Sequence, residues 1–438
     1  MTGCPRMDAI DYLFSLETQG IKFGLEGIRA LCEALGHPQR QYRRVIVAGT
    51  NGKGSVTVMA ETALRAAGHR TARYTSPHLA RLEERFVIDG REVPTVALRE
   101  AAESVRSAVD RLASAGRLAG PPTFFEATTA AAFELFARSD VEVAVIEVGL
   151  GGRLDATNAE AAMMAAITTI DRDHEEFLGS DLAGIAREKA GVVHPGMVVV
   201  LGDAKPPVVE AVAEICRVRG ARLVTAAGVR ADGESEGGRV RLDLTTARRR
   251  YGPVRLGLRG RHQIENAVTA TLLLEELDAA GVRAPAEAIE AGLAGARWPA
   301  RLELVRLGHG TVLLDAAHNP GGARALAAYL AAEQPGGLPV VFGAMRDKDT
   351  RAMLEALAPV ASAFALTEAR TPRSCPAGTL EAQAAAVAPG VPRAAFDDRD
   401  RALDWALARA PLVCVAGSIF LAGDVRAALI ARGGEIED

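Results

Sequence analysis

Between a β-rich run that ends at Ala48 and an alanine-rich helical run that starts at Val56 lies the heptapeptide GTNGKGS, residues 49–55. Glycines let a backbone wrap closely around an anion, and the N-terminus of a helix offers unpaired N–H groups. A lysine adds a mobile positive charge, and a serine hydroxyl at this place is within reach of a magnesium ion. The chemistry is phosphate binding, with Gly49, Thr50, Asn51, Gly52, Lys53, Gly54 and Ser55 as the cradle. The spacing departs from the usual G-x-x-x-x-G-K-[ST], because Lys53 precedes Gly54 instead of following it. The strand–loop–helix context therefore carries the reading.

Three further positions hold chemistry. Glu147 ends an apolar run, just before GLGGRLDATN at residues 149–158. A carboxylate there is costly to desolvate unless paired or metal-bound, and the C-terminal edge of a parallel sheet is where such folds bind ligands. Glu147 is a candidate magnesium ligand, with an ion pair to Arg153 or another arginine as the plainer alternative. His174 follows the next apolar run and emerges at the same edge, as a metal ligand or an ordinary structural histidine. Within residues 181–191, Leu182, Ile185 and Ala186 recur at helical spacing and Lys189 falls on their inward face. Burial favours a neutral amine, and a neutral amine is able to take up carbon dioxide as a carbamate. The same spacing fits a lysine that caps the last turn before Gly191.

Only five lysines occur, at 22, 53, 189, 205 and 348, within a total of 51 basic residues. Arginine fills nearly every other basic position, so a position that keeps lysine is a candidate for needing an amine.

The elements that must position these groups alternate. Residues 44–48, 143–148, 165–170 and 197–201 read as buried strands, with helices such as 55–67 between them. This is the pattern of an α/β, mainly parallel sheet covered on both faces. Residues 115–122 and 228–239 read as loops, rich in glycine, proline or charge. A proline stops a helical tract within RWPAR at residues 297–301, and a second alternation follows, with strands at 311–314, 339–343, 363–366 and 412–416. We expect an N-terminal P-loop-type domain over 1–296 and a smaller Rossmann-like α/β domain over 297–438. The second domain has its own ligand-facing edge, DAAHNPGG from Asp315 to Gly322, although an Asx-type turn at Asn319 would explain part of it.

Composition excludes other classes. The chain has 438 residues, 51 basic against 55 acidic, and a formal net charge of −4. That balance gives no polybasic footprint for nucleic acid. No apolar stretch reaches the ~20 residues of a membrane helix, and Asp8, Asp11 and Glu17 interrupt what a secretory signal would keep apolar. A cytoplasmic monomer acting on small molecules is expected. The five cysteines lie apart without a Cys-x-x-Cys pair, so they are read as reduced and structural.

In these motifs the sequence resembles the folylpolyglutamate synthase and dihydrofolate synthase group of the ATP-dependent Mur-type amide ligases. The resemblance covers nearly the whole chain: IKFGLEGI (21–28), VAGTNGKGSV (47–56), YTSPHL (74–79), IEVGLGGRLDATN (146–158), DHEEFLG and IAREKAG (173–191), LRGRHQIENA (258–267), WPARLE, LDAAHNP, VFGAMRDKD (341–349) and GSIFLAGDVR (417–426). GKGS is typical of the folate branch. A muramyl-type ligase is the alternative within the superfamily, and a nucleotide-binding regulator the alternative outside it. The resemblance implies ATP-dependent addition of L-glutamate to dihydropteroate or reduced folates through an acyl phosphate, with two magnesium ions. It implies ATP contacts from residues 49–55, Asn266, Arg301, Asp315 and His318. It implies metal ligation by Ser55, Ser76, Glu147 and His174, catalytic parts for Lys53, His174 and a carbamylated Lys189, and a pterin-bearing substrate near Thr123, Phe124, Phe125, Asp155 and Ala156. Ala300 and Ala316 stand where the family pattern has glycine, which reads as two small changes, and Glu83 stands where asparagine is more usual.

Overall fold

The computed structural model describes residues 7–20, 22–173, 179, 181–308 and 310–437. Three sheets account for its strands. The first has eight, in the order β4-β3-β2-β5-β1-β6-β7-β8, built from β1 (Arg43–Ala48), β2 (Thr71–Tyr74), β3 (Phe86–Ile88), β4 (Arg91–Glu92), β5 (Val143–Glu147), β6 (Met164–Ile167), β7 (Val198–Leu201) and β8 (Arg222–Thr225). From β2 across to β8 every pairing is parallel, and β3 and β4 add an antiparallel edge. The central strands β1, β5 and β6 are buried along nearly their full length. One face packs on helices Thr95–Ser114 and Phe124–Arg138, the other on Lys53–Ala66 and Gln263–Ala279. This is the doubly covered parallel sheet that the apolar runs imply.

A second sheet, β11-β10-β9, is antiparallel: β9 (Arg230–Glu236), β10 (Arg239–Thr245) and β11 (Arg250–Arg259). It overturns the reading of 228–239 as a loop. β9 is RADGESE, mostly exposed, so it lacks the apolar alternation by which a strand is recognised. Its signal is the turn: Gly237 and Gly238 both take positive φ, 56° and 77°, the two-residue turn that suits a tight hairpin.

The third sheet runs β16-β15-β14-β17-β13-β12-β18. It comprises β12 (Glu303–Leu307), β13 (Gly310–Leu314), β14 (Leu338–Phe342), β15 (Ala361–Leu366), β16 (Arg393–Ala395), β17 (Leu412–Ala416) and β18 (Glu435–Ile436). β13 to β16 and β17 pair in parallel, and β12 is antiparallel to both neighbours. The described cysteines Cys32, Cys216, Cys375 and Cys414 are buried thiols, as expected of structural residues. No helix among the described residues is long and apolar enough to cross a membrane.

Candidate active site

The phosphate-loop motif forms the turn between β1 and the helix Lys53–Ala66. Two of its glycines are there for space and backbone angle. Gly49 has φ +142°, and a Cβ on it would fall 1.9 Å from Thr168 Oγ1; Gly52 has φ +87°, and a Cβ would fall 2.2 Å from Asn266 Oδ1. The loop is held from the neighbouring strand end: the Thr50 N–H donates to the Thr169 carbonyl at 2.9 Å, and the Thr50 hydroxyl to the Asp171 carbonyl at 3.0 Å. Lys53 curls back over it and donates to the carbonyls of Gly49 and Thr50, both at 3.1 Å.

Lys189 reaches the same place from the far side. It is the last residue of helix Leu182–Lys189, which Asp181 caps, and its Nζ donates to the Gly49 carbonyl at 2.9 Å. The capping alternative is therefore set aside. Two close approaches fix this geometry: a Cβ on Gly152 would lie 2.5 Å from the Lys189 carbonyl, and one on Gly191 would lie 2.2 Å from Arg153 Cβ. Only glycines let the 149–158 segment lie against the end of that helix. Burial, followed by the charge of Lys53, pulls the Lys189 amine down from 10.5 to about 7, so both protonation states are populated near neutrality.

Glu147 closes β5, opposite Val47 of β1. Burial raises its carboxyl above the usual range, against the lowering effects of Lys53, the Ser76 N–H and Arg301. Arg153 pairs with Glu188 at 3.1 Å instead, so of the arginines expected as partners for Glu147 that one is engaged elsewhere, while Arg301 and Arg85 act on the carboxyl by charge. The Ser76 N–H donates to Glu147 at 3.3 Å. Among the described residues no group of three or more His, Cys, Asp or Glu side chains could hold a metal by itself. One desolvated carboxylate with the serines Ser55 and Ser76 on the same cavity wall is instead the hard-oxygen set that suits a magnesium ion sharing phosphate oxygens. The residues present fit such an ion. His174 lies outside the described residues.

The second sheet edge faces this one. Asp315 follows β13 and accepts from the N–H groups of Leu302 at 3.0 Å and Ala317 at 2.8 Å; burial raises its carboxyl, and Arg301 opposes that. His318 donates from Nδ1 to the Ala316 carbonyl at 2.9 Å, since a carbonyl only accepts. Burial pushes this imidazole down to about 4, so it is neutral near pH 7 and offers Nε2 as an acceptor. Asn319 both caps helix Pro320–Glu333 and donates across the cleft to Asn51 and Asp173, each at 3.0 Å. Asp173 also pairs with Lys348 at 2.7 Å, and Asp171 with Arg324 at 2.7 Å.

Residues 49–55, Ser76, Glu147, Lys189, Asn266, Arg301, Asp315 and His318 thus line one cavity of about 360 Å³. It shares Ser76, Pro77, Gly149, Leu150, His318 and Ile419 with a larger one of about 1010 Å³. Thr123, Phe124, Phe125, Asp155 and Ala156 all line the larger cavity. Thr123 is the N-cap of helix Phe124–Arg138 and exchanges bonds with Glu126. Asp155 organises the 149–158 turn by accepting from the N–H groups of Leu150 and Thr157, both at 2.9 Å. Phe124 lies under the Arg85 guanidinium, 5.1 Å from the ring centre, and against Phe14 at 5.7 Å. Glu83 lines neither cavity; its carboxylate accepts from the Thr95 hydroxyl at 2.6 Å.

Lys205, Lys348, Asn319 and Arg324 escaped the motif reading as site residues. Lysine scarcity was the available signal: Lys53, Lys189 and Lys205 line the smaller cavity, Lys22 and Lys348 the larger, which accounts for every lysine in the chain. Ala300 corrects the reading of a small change. Its φ is +53°, a left-handed conformation that costs a residue with a Cβ roughly 1–2 kcal/mol. It is held there because its N–H donates to Glu303 at 2.9 Å and its carbonyl accepts from Ala316 at 2.8 Å.

With a phosphate-loop turn on its parallel sheet and a second α/β sheet edge facing it, the chain falls in the class of ATP-dependent amide ligases of the Mur type, to which two family models assign it. The family model for the Mur ligase middle domain matches residues 100–274, and that for the Mur ligase glutamate ligase domain matches residues 300–419. Within that class the chain belongs to the dihydrofolate synthase/folylpolyglutamate synthase family. It is 40% identical to the dihydrofolate synthase/folylpolyglutamate synthase of Mycobacterium tuberculosis over 84% of this chain and 77% of that protein. With the Escherichia coli protein of the same description the identity is 32%, over 86% and 85%. Two archaeal relatives described as probable bifunctional folylpolyglutamate synthase/dihydropteroate synthases are longer, and the match spans 42% and 51% of their lengths. Among solved structures, Escherichia coli FolC in complex with DHPP and ADP superposes with a TM-score of 0.87 at 30% identity, covering 99% of this chain and 100% of that one. A bifunctional folylpolyglutamate synthase/dihydrofolate synthase with Mn, AMPPNP and L-glutamate bound gives 0.83 at 31%, covering 98% and 100%.

Proposed function

We propose that this protein joins L-glutamate to dihydropteroate and to reduced folates at the cost of ATP, acting as a bifunctional dihydrofolate synthase/folylpolyglutamate synthase. The observation that carries the proposal is the continuity of the two cavities. A phosphate cradle with Lys53, Glu147 and Lys189 opens directly into an aromatic-walled space large enough for a pterin and its benzoyl arm. The substrate carboxylate attacks the γ-phosphorus of ATP, ADP leaves, and the amine of glutamate then displaces phosphate from the acyl phosphate.

The first step brings anions together, and two unit charges at ~4 Å repel by roughly 4 kcal/mol at an effective dielectric near 20. Lys53 offsets that repulsion from one side and Arg301 from the other. Ser55, Ser76, Glu147 and His174 would hold magnesium, which supplies charge neutralisation at the phosphates. Lys189, as its neutral amine, adds to carbon dioxide with loss of one proton to give a carbamate, turning a cation beside the cradle into an anion. Asn266, Asp315 and His318 complete the nucleotide contacts. Phe124, Phe125 and Ala156 wall the acceptor site, with Thr123 and Asp155 holding its loops in shape. The chain divides into lobes at 1–296 and 297–438, and closure about residues 297–301 keeps water from the acyl phosphate. The enzyme is read as a cytoplasmic monomer acting on small molecules; its near-neutral charge gives no polybasic footprint for nucleic acid, and no helix among the described residues is long and apolar enough to cross a membrane.

Glutamate-dependent ADP release with dihydropteroate, and separately with a reduced folate, is the expected signature. Turnover with a muramyl peptide acceptor alone would reject the proposal, as would ATP binding without ADP formation under any acceptor.

A further inference from the structure

Trp298 lines neither cavity, yet its indole lies on the first turn of the phosphate-loop helix. A Cβ built on Gly54 would stand 2.8 Å from the indole Nε1 and 2.9 Å from Cε2 and Cζ2. Gly54 sits inside helix Lys53–Ala66 without a left-handed φ, so its backbone angles do not call for glycine. The indole is what leaves no room for a side chain.

The indole is itself braced from behind. The Arg73 guanidinium sits 5.7 Å from its ring centre, and Arg73 is held by Glu61 at 3.1 Å, whose side chain is fully buried. The chain that delivers Trp298 runs along the same helix. In helix Ala286–Gly295 a Cβ on Gly292 would fall 2.4 Å from the Ala63 Cβ, and one on Gly295 would fall 3.4 Å from Thr62 Cγ2. Residues 286–298 therefore track the phosphate-loop helix from Ala63 to its first turn. Two residues beyond Trp298 the backbone enters the left-handed pair Ala300 and Leu302, which flanks Arg301 and leads into β12.

We propose that Trp298 is a positioning residue for the nucleotide: by seating against Gly54 it sets where Lys53 and Ser55 stand in the cradle. It ties that placement to the segment carrying Arg301. The proposal rests on reading residues 49–55 as a phosphate cradle. It also gives a reason for glycine directly after the lysine, where the commoner loop carries serine or threonine.

The test is a double-mutant cycle on the full chain, reading Mg–ADP affinity by calorimetry together with KM for ATP and kcat. Gly54→Ala, which overpacks the contact, and Trp298→Ala, which removes it, are each expected to weaken Mg–ADP binding about tenfold. KM for ATP should rise more than kcat falls, with KM for the folate acceptor unchanged. The double variant should bind Mg–ADP more tightly than Gly54→Ala alone, because the new methyl then occupies vacated space, and Trp298→Phe should recover most of what Trp298→Ala loses. An equal loss from Gly54→Ala in both backgrounds would overturn the proposal, since the glycine would then be required by something other than the indole. That result would leave the cradle intact, whereas failure of the unaltered protein to bind Mg–ADP would overturn both readings.

Discussion

Lys53 and Lys189 meet on one oxygen: their ammonium nitrogens stand 3.1 Å and 2.9 Å from the carbonyl of Gly49. They come from opposite sides, one from the helix that follows the loop and the other from a helix more than a hundred residues later. One carbonyl dipole offsets little of the repulsion between two amines, and burial together with the charge of Lys53 brings Lys189 down to about 7, where its neutral and charged forms coexist.

Through the proposed carbamate, Lys189 is expected to make the activity depend on pH and on dissolved carbon dioxide. With the amine at about 7, its neutral form, and with it carbamate, is lost as pH falls below 7. Ligation should fall with it, more steeply in buffer stripped of carbon dioxide. Lys189→Ala is expected to abolish glutamate-dependent ADP release with the fold retained, and added formate or acetate to restore part of it. Full activity in that variant would remove the carbamate. Stability carries a matching sign. Between pH 7 and the unfolded value of 10.5 the unfolded chain binds the extra proton, so Lys189 destabilises the protein most at and below pH 7 and least above 10.5. Lys189→Met should raise Tm at pH 6, with a gain that shrinks by pH 10.

Glu147→Gln separates function from stability in one residue. Its carboxyl is raised by burial, so above the unfolded carboxyl value its charge counts against the folded state, and removing that charge should raise Tm of the protein without nucleotide at pH 7. The same change removes the charged donor of the proposed metal set, and ligation should fall about 10²–10³-fold. Titration with magnesium checks it: saturation should shift to higher concentration, and chelation should silence the parent protein.

Much of this site was legible because its parts lie where one local pattern suffices. Residues 49–55 carry their strand–loop–helix frame with them, and Lys189 shares a face with Ile185 and Ala186, so its burial follows from spacing. What Lys189 touches was not legible: its spacing equally suits a cap on its own helix, and only packing of Gly152 and Gly191 decides in favour of Gly49. β9 was missed because exposure on both faces erases alternation. Ala300 was underrated because a positive φ is imposed by Glu303 and Ala316, neither of which a local motif shows to be its partner. The cross-cleft bonds of Asp173 join residues far apart in sequence, and no local pattern encodes them.

His318 should stay neutral through the working range. Its imidazole is pushed down to about 4 by burial, so no histidine titration should appear at this position by NMR between pH 5 and 8. Between the unfolded value of 6.5 and about 4 the unfolded chain takes up the proton first, and stability contributed by neutral His318 is lost progressively as pH falls through that window. His318→Gln, which keeps an acceptor without a titrating ring, should flatten the acid limb of a Tm-versus-pH curve.

Asp173 and Lys348 clasp the two sheet edges through a pair with only 11% and 9% of their side chains exposed. Removing one partner of such a pair leaves the other charged in a desolvated place, at a cost of about 3 kcal/mol, whereas removing both spares that penalty. Asp173→Asn and Lys348→Met are each expected to lower stability to urea by about that amount. The double variant should lose less than the sum of the two. Asn319, which also donates to Asp173 at 3.0 Å, keeps its bond to an asparagine carbonyl oxygen, so Asp173→Asn isolates the charge from the hydrogen bond. If the two losses add, Asp173 and Lys348 act separately, and the clasp must be assigned to Asn319 and to the Asp171–Arg324 pair.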